Sequence, residues 1–251
     1  MLREDVVFGP IKSRRLGWSL GINLLPTKGK ICNFDCIYCE CGWNADGKND
    51  THLPTISEVR GALEDKLETI LLNGTKVDSI TFSGDGEPTL NPCFAQIIED
   101  ALKLRDIYTP LSKVSVLTNA TRLSDDAVFE ALRKVDAPIL KLDAPTNELA
   151  RKINRVLPSY DVGEVVKGMK RFEGDFILQT MFLKSADFDS LSHDVLDGWM
   201  GIVRELKPKL IMAYTIARPT PEKGLQAYSK EEIHKGLEPL ISEGFNIQIN
   251  A

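Results

Sequence analysis

Four of the five cysteines in this 251-residue chain fall within one ten-residue stretch, Cys32-Asn-Phe-Asp-Cys36-Ile-Tyr-Cys39-Glu-Cys41. The first three have the spacing Cys-x3-Cys-x2-Cys. An odd cysteine count, with most of it in a single loop, does not read as a disulfide framework. Thiolates this close in sequence point instead to a soft metal. Structural zinc takes four closed ligands, usually as two separated pairs. No second pair is present: His52, His193 and His234 show no finger-like spacing and Cys93 stands alone. Cys41 could close a zinc site, but Cys39-x-Cys41 would be an unusual knuckle. Three thiolates on a cubane [4Fe–4S] cluster would leave one iron open for another ligand, and that reading is favoured over zinc.

Composition bounds the rest. With 43% apolar and 27% charged residues the chain can bury a core, which excludes a disordered or collagen-like polypeptide. A net charge of −5 and a pI near 5.4 argue against a protein built to grip phosphate backbones everywhere, so a nucleic-acid partner is possible but not favoured. No apolar run approaches the ~20 residues of a membrane helix. The first residues, MLREDVVFGP, place acids where a signal peptide has its apolar core, so a cytoplasmic protein is expected.

Along the chain, strand-like and helix-like segments alternate. Residues 19–25 form an apolar, β-rich run leading directly into the cysteine loop. An amphipathic helix is expected over 57–72, with Ser57 as N-cap and Val59, Leu63, Leu67, Ile70 and Leu71 on one face. Strands are expected at 78–82, 113–117, 137–142, 175–183 and 209–215. Helices are expected at 92–103, 124–134, 161–172, 195–206 and 230–243, with a last short strand at 245–249. Such βαβ units make a parallel sheet. Six main strands are too few for the eight-fold barrel of ~250 residues. The expected fold is therefore α/β, an open (β/α)6 partial TIM-type barrel of parallel strands. It would form one domain over 1–251, with the cluster loop at about 26–50 and a C-terminal helix and short strand at about 230–250. Ligands of such sheets sit beyond the carboxyl ends of the strands. The cysteine loop, Gly84–Glu87, Thr118-Asn119, Asp143 and Thr215–Arg218 all follow strands.

Cys32-x3-Cys36-x-Tyr38-Cys39 resembles the signature of the radical S-adenosylmethionine (radical SAM) superfamily, including the aromatic residue before the third cysteine. The segment Gly9-Pro-Ile-Lys-Ser-Arg-Arg-Leu-Gly-Trp-Ser-Leu-Gly21 resembles the branch of the wyosine-base synthases and their bacterial relatives, as do Lys141-Leu-Asp-Ala-Pro and Arg218-Pro-Thr-Pro-Glu-Lys-Gly224. The resemblance extends from about residue 8 to about residue 225 and implies Cys32, Cys36 and Cys39 as ligands of a [4Fe–4S] cluster. It also implies that S-adenosylmethionine chelates the open iron. Reductive cleavage of its sulfonium would yield a 5′-deoxyadenosyl radical that abstracts hydrogen from a substrate. The electron would come from an external flavodoxin- or ferredoxin-type donor.

Several residues at the strand ends are candidates for cofactor binding. Ser83-Gly84-Asp85-Gly86-Glu87-Pro88 reads equally as a tight turn, but by resemblance it matches the superfamily's Gly-Gly-Glu-type loop that holds the methionyl ammonium. The sequence here is Gly-Asp-Gly-Glu, so backbone carbonyls and Glu87 share that role. Lys141 and Asp143 alternate on one face of an apolar strand; they either pair with neighbouring charges or reach the ribose, the carboxylate or the substrate. Gln179 is a similar polar interruption, and Asn119 is either a turn former or a ligand contact. Tyr38 is expected beside the cluster with its backbone near the adenine, or simply in the core. Ser13-Arg14-Arg15 and Arg218 are candidate anion contacts or plain surface residues. Cys41 and Cys93 are too few for a second cluster, where the wyosine-type synthases carry one, and Cys93 reads as a small buried residue. The substrate would be a small molecule or a nucleoside. The alternatives are tRNA-base modification of the wyosine type and a non-enzymatic metal-binding regulator.

Overall fold

The computed structural model describes residues 2, 5–46 and 50–251. Positions 47–49 of the expected cluster loop and residues 1, 3 and 4 lie outside the described residues. In chain order the elements are β1 (Val7–Ser13), β2 (Gly17–Ile22), α1 (Ile56–Leu72), β3 (Ser79–Phe82), α2 (Phe94–Tyr108), β4 (Lys113–Thr118), α3 (Asp126–Lys134), β5 (Ala137–Lys141) and α4 (Asn147–Asn154). There follow α5 (Val162–Lys170), β6 (Ile177–Met181), β7 (Leu183–Lys184), α6 (His193–Leu206), β8 (Leu210–Tyr214), β9 (Gln226–Ala227), α7 (Lys230–Ser242) and β10 (Ile247–Asn250). The main sheet runs in the order β1-β2-β3-β4-β5-β6-β8-β10, while β7 pairs with β9 apart from it. The fold is α/β with a mostly parallel sheet. Its six consecutive central strands and helical crossovers have the topology of an open partial barrel.

The backbone divides into two compact units. One comprises Met1–Asn33, Asn44–Thr118 and Arg122–Pro138; the other comprises Phe34–Trp43, Asn119–Thr121 and Ile139–Ala251. In the first, β2, β3 and β4 pair in parallel, with Ile22 opposite Phe82 and Phe82 opposite Val116. Leu20, Ile22, Ile80, Phe82, Val114 and Val116 are wholly buried, as expected for strands covered on both faces. The serines and threonines among them satisfy one another, Ser19 with Thr81 at 2.7 Å and Ser79 with Ser115 at 2.9 Å. In the second unit β6 pairs in parallel with β5 and β8, and β10 with β8.

Three features depart from the expected elements. Val7–Ser13 forms a strand antiparallel to β2, at the edge of the sheet where Pro10 is tolerated. It is seated by Phe8, whose ring would lie 2.1 Å from a Cβ on Gly21, so only glycine fits there. Helix α1 is capped by Thr55 rather than Ser57. Thr55 and Glu58 form a full capping box, and Leu71 is 58% exposed instead of sharing the buried face of Val59, Leu63, Leu67 and Ile70. Helix α4 was not expected at all.

Candidate active site

Helix α4 is short and mostly polar, Asn-Glu-Leu-Ala-Arg-Lys-Ile-Asn, and starts at an N-cap in which Thr146 Oγ1 accepts from Leu149 N–H. It ends because Arg155 adopts a left-handed conformation, φ 47° and ψ 47°. A helix end leaves carbonyls without intrahelical donors. Here the cysteine loop supplies them: Asp35 N–H donates to Asn154 O at 2.8 Å and Ile37 N–H to Ile153 O at 3.0 Å. Within the loop, Cys39 N–H donates to Cys36 O and Gly42 N–H to Cys39 O, each at 3.0 Å. The loop is thus folded onto the end of a helix by backbone bonds that any sequence could make.

The side chains supply the specificity. Asp143 follows β5, and its side chain is fully buried. Its Oδ1 accepts from Met181 N–H at 2.9 Å; its Oδ2 accepts from Asn154 Nδ2 at 2.7 Å and from the Tyr38 hydroxyl. Lys141, the last residue of β5, donates to the hydroxyls of Tyr38 and Tyr214 at 2.8 Å each and stands 3.7 Å from Asp143. Its ammonium also faces the Tyr38 and Tyr214 rings at 5.1 and 5.5 Å. A buried pair of this kind persists only when its remaining donors and acceptors are satisfied, and they are. Burial opposes the charged form of Lys141, but Asp143 and Tyr214 outweigh it and hold the ammonium above its ordinary value. Burial, with Asp143 beside it, pushes the Tyr38 phenol well up.

Cys36 lies in the same cluster. Asn154 Nδ2 donates to its Sγ at 3.3 Å. Burial pushes the thiol up to about 11, with Lys141 and the Asn154 amide opposing that shift. Around the loop, Arg155 stacks over the Trp43 ring at 4.1 Å and pairs with Glu222 at 2.7 Å. Glu222 N–H donates to Ile37 O at 3.2 Å, and Arg218 pairs with Glu40. The expected anion contact Arg218 is therefore engaged in tying the segment around 218–224 to the cysteine loop.

The other unit carries Cys32 and the Gly84–Glu87 loop. Ile31 forms a parallel bridge with Gly86; Ile31 N–H donates to Asp85 O at 3.1 Å and Glu87 N–H to Ile31 O at 3.0 Å. Both glycines sit in close quarters. Gly86 has φ 137° and a Cβ there would meet Ile31 O at 1.8 Å; one on Gly84 would meet Asn23 Oδ1 at 2.1 Å. Asn23 in turn accepts from Asp85 N–H at 3.1 Å and donates to its carboxylate at 3.3 Å. Glu87 is buried, with Oε1 accepting from the hydroxyls of Thr89 and Thr118 at 2.6 Å each and from Thr89 N–H at 3.1 Å. Cys32 O accepts from Asn44 Nδ2 at 2.9 Å.

Of the other sequence candidates, Asn119 is buried and its Oδ1 accepts from Thr121 N–H and Oγ1. Gln179 is buried on β6 in register with Lys141. Ser13 Oγ accepts from Arg15 and Leu16 N–H, a turn role. Cys93 stands at the N-cap position of α2 without a side-chain cap bond, is half-buried rather than buried as expected because it lies at the helix start, and its N–H donates to Asn91 Oδ1 at 2.8 Å. Among the described residues no three His, Cys, Asp or Glu side chains converge closely enough to surround a single metal ion. Three thiolates on separate corners of a cubane need no such convergence, and a buried sulfur with an amide donor suits a cluster ligand. Cys36, buried and hydrogen-bonded by Asn154, fits such a ligand.

The Radical SAM superfamily profile matches residues 27–181, which takes in all three motif cysteines. The chain belongs to the radical SAM superfamily. A protein named GTPase Obg from Brachyspira hyodysenteriae is 32% identical over 238 residues, 93% of this chain and 33% of that protein. A UPF0026 protein of Methanocaldococcus jannaschii is 30% identical over 239 residues, 92% of this chain and 70% of the relative. Among solved structures, a radical SAM methyltransferase from Sphaerobacter thermophilus superposes with TM-score 0.68 at 16% identity, over 92% of this chain and 65% of that one. Streptococcus suis SuiB bound to S-adenosylmethionine gives 0.66 at 16%, over 92% and 50%. TYW1 with a lysine–pyruvate adduct bound gives 0.64 at 14%, over 90% and 74%. The chain spans a third of the first relative and about two thirds of the first structure. At 14–16% identity these structural likenesses show the fold alone and do not assign a branch of the superfamily.

Among the described residues no helix is long and apolar enough to cross a membrane. Asn154, Tyr214 and Asn23, which join the sequence candidates into networks, had no motif to mark them.

Proposed function

We propose that Cys32, Cys36 and Cys39 hold a [4Fe–4S] cluster with one open iron, and that the chain is a S-adenosylmethionine-cleaving enzyme acting on a small molecule or nucleoside. When bound, the cluster and S-adenosylmethionine together supply a one-electron cleavage of the sulfonium that delivers a hydrogen-abstracting 5′-deoxyadenosyl radical. The observation that carries the reading is the family match across 27–181, which takes in the three motif cysteines, two of which (Cys36 and Cys39) lie in the segment bonded to the end of α4 through Asp35 and Ile37.

The chain's own residues divide the work. The Gly84–Glu87 loop is hydrogen-bonded to Ile31, next to Cys32, which supports a role for it beside the cofactor's ammonium. Because Glu87 Oε1 and Asp85 are already engaged, the loop's backbone is the better candidate acceptor. Tyr38, Lys141 and Asp143 form a closed network beside Cys36, so their proposed part in cofactor binding is to fix the loop rather than to act as free charges. Asn119, just after β4, and Gln179, on β6, are both buried and are assigned to the ribose or the substrate. Radical SAM enzymes draw their electron from an external reductant; a flavodoxin or ferredoxin is the proposed donor here.

Anaerobic reconstitution tests the assignment. About four irons and four sulfides per chain, with an EPR-active state on reduction, are expected. One zinc per chain with no iron uptake would overturn it.

A further inference from the structure

We infer that Asn154 is a positioning residue that sets the reduction potential of the cluster through its hydrogen bond to Cys36; the inference rests on the cluster assignment above. A donor to a ligand sulfur stabilises the electron-rich reduced state more than the oxidised one, and hydrogen bonds to sulfur are among the levers on such potentials. Asn154 is placed for this role. It is buried, its Nδ2 stands 3.3 Å from Cys36 Sγ, and the same amide is anchored by Asp143 Oδ2 at 2.7 Å. Its backbone carbonyl holds Asp35, one residue before Cys36, at 2.8 Å. The left-handed turn at Arg155 ends the helix at this residue, so the side chain is delivered to the sulfur by the helix terminus itself.

Asp143 makes the arrangement directional. Its carboxylate accepts from the Asn154 amide and fixes the orientation of the donor, while its negative charge, with Lys141 at 3.7 Å, acts on Cys36. Removing the donor and removing the charge should therefore move the potential in opposite senses.

The test is an EPR-monitored redox titration of the reconstituted protein without S-adenosylmethionine. Asn154→Leu and Asn154→Ala both lose the donor and differ in volume. Both are expected to keep wild-type iron content and to shift the midpoint to more negative potential by similar amounts, whereas Asp143→Asn shifts it the other way. If Asn154→Leu retains no cluster, Asn154→Ala decides. Full clusters with unchanged midpoints in the Asn154 variants overturn the inference and leave the cluster assignment standing. Failure of the wild-type protein to bind iron instead overturns the assignment.

Discussion

Gly86 lies against Ile31 so closely that a single added carbon would sit 1.8 Å from the Ile31 carbonyl oxygen. The contact joins the loop after β3 to the residue that precedes the first cysteine. The obstacle is backbone, and the glycine's φ of 137° already disfavours any side chain. Gly86→Ala should cost about 1–3 kcal/mol of stability and reduce iron retention. Chemical denaturation and iron analysis check this. An unchanged denaturation midpoint with full iron would mean that the bridge is not needed.

The half-buried Lys141 and the fully buried Asp143 are a pair whose members depend on each other. Lys141→Met leaves the fully buried Asp143 without a cation, and loss of one partner of such a pair costs about 3 kcal/mol. Urea denaturation measures it. A loss below about 1 kcal/mol would show that Tyr38 and Asn154 alone satisfy the carboxylate.

The cap of α1 has a pH signature. Thr55 N–H and then its hydroxyl donate to the Glu58 carboxylate, and His52 adds a further contact, which together lower that carboxyl to about 2. Because the folded value is depressed, the contribution is fully present above the ordinary glutamate value of 4.5 and is lost as pH falls toward 2. An NMR titration of Glu58 should show the low midpoint, and Thr55→Val should move it back up. An ordinary midpoint in the unmodified protein contradicts the capping box.

Arg155 holds Trp43 and Glu222 at the surface, where ion pairs contribute little to global stability, typically below about 1 kcal/mol. Its effect should be local. In Arg155→Leu, hydrogen exchange is expected to quicken in peptides covering 34–43 and 216–224 while α1 keeps its protection. Uniform exchange changes across the chain would contradict a local strap.

The parts legible in the sequence are those carried by period or spacing. The apolar runs of β3, β4, β5 and β6 marked buried parallel strands, and the cysteine spacing marked the family. Val7–Ser13 was missed because Gly9-Pro10 interrupts the strand pattern, and only pairing with β2 at the sheet edge makes it a strand. Helix α4 was missed because eight residues hold too few apolar positions to show a period; its stability comes from the Thr146 cap and from the loop bonded to its end. Asn154 and Tyr214 were illegible for a different reason. An asparagine at a helix end and a tyrosine at a strand end are common, and their meaning lies in the distances to Cys36 and Lys141 that only the fold creates.

The most direct measurement is product analysis after reducing the anaerobically reconstituted protein with dithionite in the presence of S-adenosylmethionine. The wild-type protein and Cys41→Ala are expected to release 5′-deoxyadenosine and methionine, and Cys36→Ala to release neither and bind little iron. Equal loss in Cys41→Ala and Cys36→Ala, or no deoxyadenosine from a wild-type protein carrying about four irons, would contradict a three-cysteine cluster with an open iron.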